Sequence, residues 1–331
     1  MIDTSVLKGK NVLVTGAAGF LGSNLCARLL KEGANVIAFD DLSTGKQEHL
    51  APLHERANEQ HTAFQFIQGD ANRRDDLLPI FLKERPDFVC HYAALVGVKR
   101  TVERPLDVFR DMDGIKHIYE LSAASGVTKV IFASSSEAYG EPVTIPEKED
   151  GVWNAKNPYA LVKLIGEQFG FSMYKTHGLR STALRFFNVY GPGQEASDYG
   201  FVVGIFIKAA LEGRSPTIFG DGLQTRDFVY VDDNIEVAIR ALCSTACDGQ
   251  VMNVGAGRQT TIKELAERVL AISGKSLTLE YLPARTEGEI RHRCPDVTRC
   301  RELVGYVPET SLDQGLAKTF AWYKERYGIT A

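Results

Sequence analysis

The sequence predicts an α/β fold: a doubly wound parallel sheet in the first half and a smaller C-terminal unit that binds substrate. Three observations point there. Short apolar, β-branched runs alternate with helix-length amphipathic stretches, as in parallel strands covered on both faces. A glycine turn follows the first run, and an acidic pair ends the second. The 331 residues are 44% hydrophobic and 24% charged, enough apolar material for a sizeable core and too much for intrinsic disorder.

In chain order, 11–15, 35–40, 64–69, 88–92, 129–134 and 181–187 read as strands. Each is short and largely apolar. The stretches 21–32, 75–84, 106–125 and 158–176 read as the intervening helices. The second half changes character at Gly191-Pro192-Gly193, and Gly220-Asp221-Gly222 is a turn. Helices are expected over 232–242 and 262–272, and a polar loop over 283–295. Residues 1–190, with roughly 227–258 returning, are expected to form the first domain. Residues 191–226 and 259–331 are expected to form the second. Ligands of open α/β sheets sit beyond the carboxyl ends of the strands, so the site should lie between the two units.

Net charge is -4, so no bulk positive field draws nucleic acid or anionic lipid. The longest apolar run, 201–207, is far short of the roughly 18 residues of a membrane span. Lys8 and Lys10 precede an apolar stretch, but Thr15, Gly16 and Gly19 break it, which reads as strand and turn rather than export signal. Six cysteines make no disulfide scaffold and lack metal-site spacing, so reduced thiols, no metal and a cytoplasmic protein are expected.

The first strand runs into Gly16-Ala17-Ala18-Gly19-Phe20-Leu21-Gly22. Glycines let a backbone approach a pyrophosphate, and the helix behind them offers unpaired N–H groups. Asp40 and Asp41 end the second strand, where a carboxylate takes the ribose hydroxyls of an adenosine and repels a 2′-phosphate. NAD is therefore expected over NADP, on a Rossmann-type domain.

Tyr159 and Lys163 are spaced i, i+4 and share a helix face. A neighbouring ammonium favours the phenolate, which makes the tyrosine a base suited to an alcohol during hydride transfer. The run Ser134-Ser135-Ser136-Glu137-Ala138-Tyr139-Gly140 follows a strand and brings hydroxyls to the sheet's carboxyl edge.

These motifs occur in order with Gly69-Asp70, His91-x-Ala93-Ala94, Leu184 to Pro192, Phe219 to Gly222, Arg226 to Asp233, Gly288-Glu289-Ile290-Arg291 and Leu312 to Leu316. Together they resemble the extended short-chain dehydrogenase/reductases, specifically the NAD-dependent nucleotide-sugar epimerase/dehydratase family, over essentially the whole chain. The resemblance implies a cofactor site of Gly16, Gly19, Phe20, Leu21, Gly22, Asp40, Asp41, Asp70, Ala71, Ala93 and Ala94, with Tyr159 and Lys163. It implies Ser135, Tyr159 and Lys163 as the catalytic set. It implies Asn188, Arg226 and Arg291 on the substrate's diphosphate, Phe219 at its nucleobase, and Ser135 and Ser136 near the sugar. Lys99 follows the fourth strand, where a uronate carboxylate is met in some relatives. The family's dimer, two helices per subunit, implies a homodimer through 106–125 and 158–176. One position departs from the pattern: where the family shows N-x-x-G, this chain reads Asp111-Met112-Asp113-Gly114, and an Asp cannot donate as an Asn amide does.

The resemblance implies oxidation of the sugar at C4. The 4-keto sugar can then be reduced on its other face, lose water across C5–C6 or, as a uronate, lose carbon dioxide. An NAD-dependent 4-epimerase of a UDP-sugar (hexose, N-acetylhexosamine or uronate) is the first expectation. Glu137 keeps a lyase open, because dehydratases and uronate decarboxylases carry an acid there. A non-catalytic NAD-binding sensor is the third reading, opposed by the intact Ser135, Tyr159 and Lys163.

Overall fold

The computed structural model describes residues 2–97, 101, 103–196, 201–284 and 290–328. Its central sheet is built from β1 (Asn11–Thr15), β2 (Asn35–Asp40), β3 (Phe64–Gln68), β4 (Phe88–His91), β5 (Lys129–Ser135), β6 (Arg180–Phe186) and β11 (Gln250–Val254). The order is β11-β6-β5-β4-β1-β2-β3, and every pairing is parallel. Strand order reverses between β1 and β4, so a crevice opens at their carboxyl ends.

Ten helices are described: α1 (Phe20–Lys31), α2 (Ala51–Glu59), α3 (Arg74–Lys83), α4 (Pro105–Ala124), α5 (Pro158–His177), α6 (Val202–Leu211), α7 (Val231–Cys243), α8 (Ile262–Ser273), α9 (Thr298–Val304) and α10 (Leu312–Arg326). Alternate strand residues feed two cores. Val12, Val14, Val36, Ala38 and Ile131 pack with Leu25, Leu29 and Leu30 of α1 and with Ile235 and Ile239 of α7. Leu13, Phe39, Val89, Val130 and Phe132 face the other way, onto Ile80, Ile115, Ile118, Tyr119 and Val162 of α3, α4 and α5. Each such side chain taken from water contributes about 1.5–3 kcal/mol, which is why β4 and β5 are buried along their whole length.

Helix α5 positions the site. Asn157 caps it by accepting from the Ala160 N–H, and Pro158 stands at its first turn. Gly166 lets it lie against β5: a Cβ there would come 2.1 Å from the Phe132 ring. At Gly170 a Cβ would come 2.6 Å from the Tyr119 hydroxyl. Larger residues at either place would push α5 away from the sheet edge.

Three small parallel or antiparallel pairs follow outside the main sheet. They are β7 (Asn188–Tyr190) with β10 (Phe228–Tyr230), β8 (Thr217–Phe219) with β13 (Glu280–Leu282), and β9 (Thr225–Arg226) with β12 (Thr260–Thr261). The strands expected at 64–69, 88–92 and 129–134 differ from the observed bounds by a residue at one end, and that expected at 181–187 by a residue at both. Helix α2 escapes the sequence pattern because only Leu53 and Ala57 of its nine residues are buried. The expected loop over 283–295 is ordered at its described end by pairing: the Glu147 N–H donates to Cys294 O at 2.8 Å, and the Asp296 N–H to Glu147 O at 2.8 Å. No helix among the described residues is long and apolar enough to cross a membrane. All six cysteines are free, and five are buried.

Candidate active site

The turn after β1 is shaped by close approach. Gly16 has φ +69, and a Cβ there would come 2.7 Å from Ala93 N; at Gly22 it would come 2.0 Å from Gly16 O. Only glycine lets the turn, the loop after β4 and the start of α1 pack together. The helix's N-cap is Gly19, with no side-chain cap, and the half-buried Phe20 and Leu21 open it, so its first N–H groups remain for an anion.

Asp40 is buried beside this turn. Its carboxylate accepts from Ala18 N at 2.9 Å and from Leu42 N at 2.8 Å, while burial raises its pKa. It therefore fastens the glycine turn to β2 and keeps lone pairs for a further donor. Asp41 is exposed and accepts from Ser43 N at 2.8 Å. Asp70 accepts from Asn72 N at 2.9 Å, and its other oxygen is 3.5 Å from the Arg110 guanidinium. Ala71 is buried, Ala94 half-buried, and the Ala93 N–H donates to Thr15 Oγ at 3.2 Å. That hydroxyl also meets His91 Nδ1 at 2.7 Å. Burial, then the Lys163 charge, pushes the His91 pKa down to about 3, so this imidazole is a neutral strut. The glycine turn, the uncapped helix and the carboxylates ending β2 fit a dinucleotide.

The carboxyl end of β5 lies across the crevice. Ser135 ends the strand, and its hydroxyl accepts from Glu137 N at 3.1 Å, opening the short helical turn Ser136–Tyr139. From α5, Lys163 donates to Ala133 O at 2.7 Å, and its Nζ is 5.4 Å from the Tyr159 ring centroid. Burial lowers Lys163 to about 8, opposed by the carboxylates of Asp111 and Glu167. Burial raises the Tyr159 phenol, opposed by a hydrogen bond with Ser135. A phenol, a hydroxyl and an ammonium thus meet at one strand end.

Four residues important here were not singled out from sequence. Arg293 is 3% exposed. It donates through Nη1 to Ser136 Oγ at 3.1 Å and Glu137 Oε1 at 2.7 Å, and through Nη2 to Gly140 O at 3.1 Å. Asn157 donates to the other Glu137 oxygen at 3.3 Å. Both Glu137 oxygens are therefore engaged. Glu167, one turn beyond Lys163, is fully buried against Arg185, which donates to its two oxygens at 2.8 and 2.7 Å. Ser134 adds a third donor at 2.5 Å. The only signal for Glu167 was the continued spacing Tyr159, Lys163, Glu167 along one helix face; for Arg293 it was its place two residues after Arg291.

The residues expected at the substrate gather on the C-terminal strands. Asn188 opens β7 and donates to Asp227 O at 3.0 Å. Arg226 ends β9 and reaches Thr225 O at 2.8 Å, and Phe219 ends β8. The Thr225 N–H donates to Arg291 O at 2.9 Å, which sets Arg291 beside β9. Its guanidinium forms an exposed forked pair with Asp221 at 2.7 and 3.1 Å; such pairs are worth little and yield readily to a phosphate. The segment from Arg291 to Arg293 thus joins this cluster to the serine turn. Lys99 lies outside the described residues.

Comparison with known proteins identifies the family. Residues 12–255 match the NAD dependent epimerase/dehydratase family model. The chain is 38% identical over 317 residues to a UDP-glucose 4-epimerase of Mycolicibacterium smegmatis, covering 95% of this chain and 98% of that protein. It is 33% identical to a UDP-N-acetyl-alpha-D-glucosaminuronate decarboxylase of Bacillus cytotoxicus, covering 96% and 98%. The solved UDP-glucuronic acid 4-epimerase of Bacillus cereus, in complex with UDP-glucuronic acid and NAD, superposes with a TM-score of 0.85 at 33% identity, covering 96% and 100%. The Rossmann-type sheet, the dinucleotide cradle and these matches together show that the chain belongs to the NAD-dependent epimerase/dehydratase family, with NAD as its cofactor.

Proposed function

We propose that this enzyme is a UDP-sugar 4-epimerase. The observation that carries the reading is the meeting of Ser135, Tyr159 and Lys163 at the end of β5, with the nearby acid Glu137 already bound on both oxygens. Bound NAD supplies a two-electron acceptor, and later donor, for C4 of the sugar. Tyr159 takes the 4-hydroxyl proton as that carbon is oxidised and returns it when the 4-keto sugar is reduced on its other face. Ser135 holds the 4-oxygen by hydrogen bond. Lys163 favours the phenolate by charge. Asn188, Arg226 and Arg291 hold the diphosphate, Phe219 the nucleobase, and Ser136 lies toward the sugar.

The geometry disfavours water loss. Elimination across C5–C6 needs a base at C5, and both Glu137 oxygens are already held, by Arg293 and Asn157. Decarboxylation is the second reading, favoured by the buried Arg293 beside Ser136, a cation suited to a sugar carrying a carboxylate. The relation to the Bacillus cytotoxicus decarboxylase supports it too. Mass spectrometry of products from a panel of UDP-, dTDP-, GDP- and CDP-sugars, UDP-glucuronate included, tests the choice. An isomer of unchanged mass is expected, and Glu137→Gln should retain turnover within about tenfold, since the Gln still accepts from Arg293. A product lighter by water or carbon dioxide, abolished in Glu137→Gln, would replace epimerase with lyase.

The reading includes a homodimer. Leu161, Leu164, Ile165 and Phe169 of α5 line an apolar surface groove of about 420 Å³, with Leu161 exposed. A second copy of α4 and α5 would cover it. Light scattering should give twice the chain mass at micromolar concentration; a monomer there would refute the dimer.

A further inference from the structure

Three consecutive serines close β5, and their hydroxyls have different partners. Ser134 donates to the buried Glu167 at 2.5 Å. The Ser135 oxygen accepts from the Glu137 N–H at 3.1 Å. Ser136 is 5% exposed, and its oxygen lies 3.1 Å from Arg293 Nη1. A guanidinium only donates, so Ser136 is the acceptor in this bond and its own O–H points elsewhere. Among the described residues that O–H meets no acceptor. A buried donor without a partner is costly in a folded protein, and at the mouth of a crevice it points to a ligand.

The cation that holds Ser136 is itself held on several sides. Nη1 of Arg293 also donates to Glu137 Oε1 at 2.7 Å, and Nη2 donates to Gly140 O at 3.1 Å. One planar fork thus grips the short helical turn Ser136–Tyr139 at its start and just beyond its end. The backbone is fixed on either side of Arg293. The Thr225 N–H donates to Arg291 O at 2.9 Å, and the Cys294 N–H donates to Glu147 Oε2 at 2.7 Å. The guanidinium is therefore rigid, and so is the Ser136 oxygen bound to it.

We propose that Arg293 is a positioning residue for sugar recognition: by occupying the Ser136 oxygen it turns the Ser136 O–H outward, as a donor to an acceptor oxygen of the sugar. This rests on the sugar lying at the end of β5, as proposed above. The buried charge polarises the hydroxyl and strengthens it as a donor. The group it would meet is a hydroxyl, carbonyl or carboxylate oxygen. Arg293 acts through Ser136, because both of its terminal nitrogens are spent on the turn.

Ser136→Ala, Arg293→Lys and the double variant test this on the NAD-bound enzyme, with the UDP-sugar that turns over fastest in the panel above. Lysine keeps a charge opposite Glu137 but loses the fork. Each single variant should lower kcat/KM by about 10–100-fold. The double variant should be no worse than the weaker single one, because both break the same link. The Kd of UDP alone, which carries no sugar, should be unchanged, as should NAD content. Parent kcat/KM in Ser136→Ala would overturn the proposal whether or not Arg293→Lys folds. Losses that multiply in the double variant, or a UDP affinity that falls as far as kcat/KM, would make Arg293 an independent part of the fold and overturn it as well. Full turnover in Tyr159→Phe would sink the catalytic reading, and this proposal with it. An inactive Tyr159→Phe beside an unaltered Ser136→Ala would sink this proposal alone.

Discussion

Tyr159→Phe should lower turnover by roughly 10³-fold, the usual worth of a positioned acid–base group. The substitution removes one oxygen from a ring packed against the core under α4 and α5 and leaves its apolar contacts. Thermal stability and bound NAD should be unchanged. Steady-state turnover, with cofactor content measured on the same sample, separates loss of chemistry from loss of cofactor. If the variant kept full turnover, Tyr159 would not be the base.

Arg185→Ala should be the most destabilising substitution near the site. Arg185 and Glu167 are both fully buried, and the truncation leaves a carboxylate in the core with Ser134 as its remaining partner. Breaking a buried pair from one side costs about 3–5 kcal/mol. Replacing both members with apolar residues removes the stranded charge, so Arg185→Met with Glu167→Leu should recover most of that loss. Urea denaturation of the three proteins measures the difference. An Arg185→Ala protein as stable as its parent would show that Glu167 is relieved in another way. Arg185 also stacks 4.7 Å from the Tyr139 ring and donates to Glu149 O at 3.2 Å. Its loss should therefore loosen the loop between Gly140 and Asn157.

What could be read from the sequence depended on how local its cause was. Strands β1 to β6 were legible because each leaves an apolar signature within four to seven residues, and all but the edge strand β3 are buried on both faces. The ends of β3 to β6 were read a residue off, since a strand stops where its neighbour's register stops. Helix α2 buries too small a face to show a period. The glycine turn, the Tyr159–Lys163 spacing and the serine run are each local, so they could be found along the chain. The Arg293 clamp is not: Arg293 meets Ser136 across 157 positions, through the backbone pairing of Glu147 with Cys294 and Asp296. No spacing rule reaches that far. Asp111 was visible as a departure from pattern, but not its burial on α4 or its bonds to Leu95 and Asn72.

The central claim is transient oxidation at C4 with return of the same hydrogen to the opposite face. A UDP-sugar carrying deuterium at C4 tests it most directly, with product read by mass spectrometry and proton NMR. The account predicts an isomer of unchanged mass that retains deuterium at an inverted C4. Deuterium lost to solvent, an uninverted C4, or a product lighter by water or carbon dioxide would contradict it.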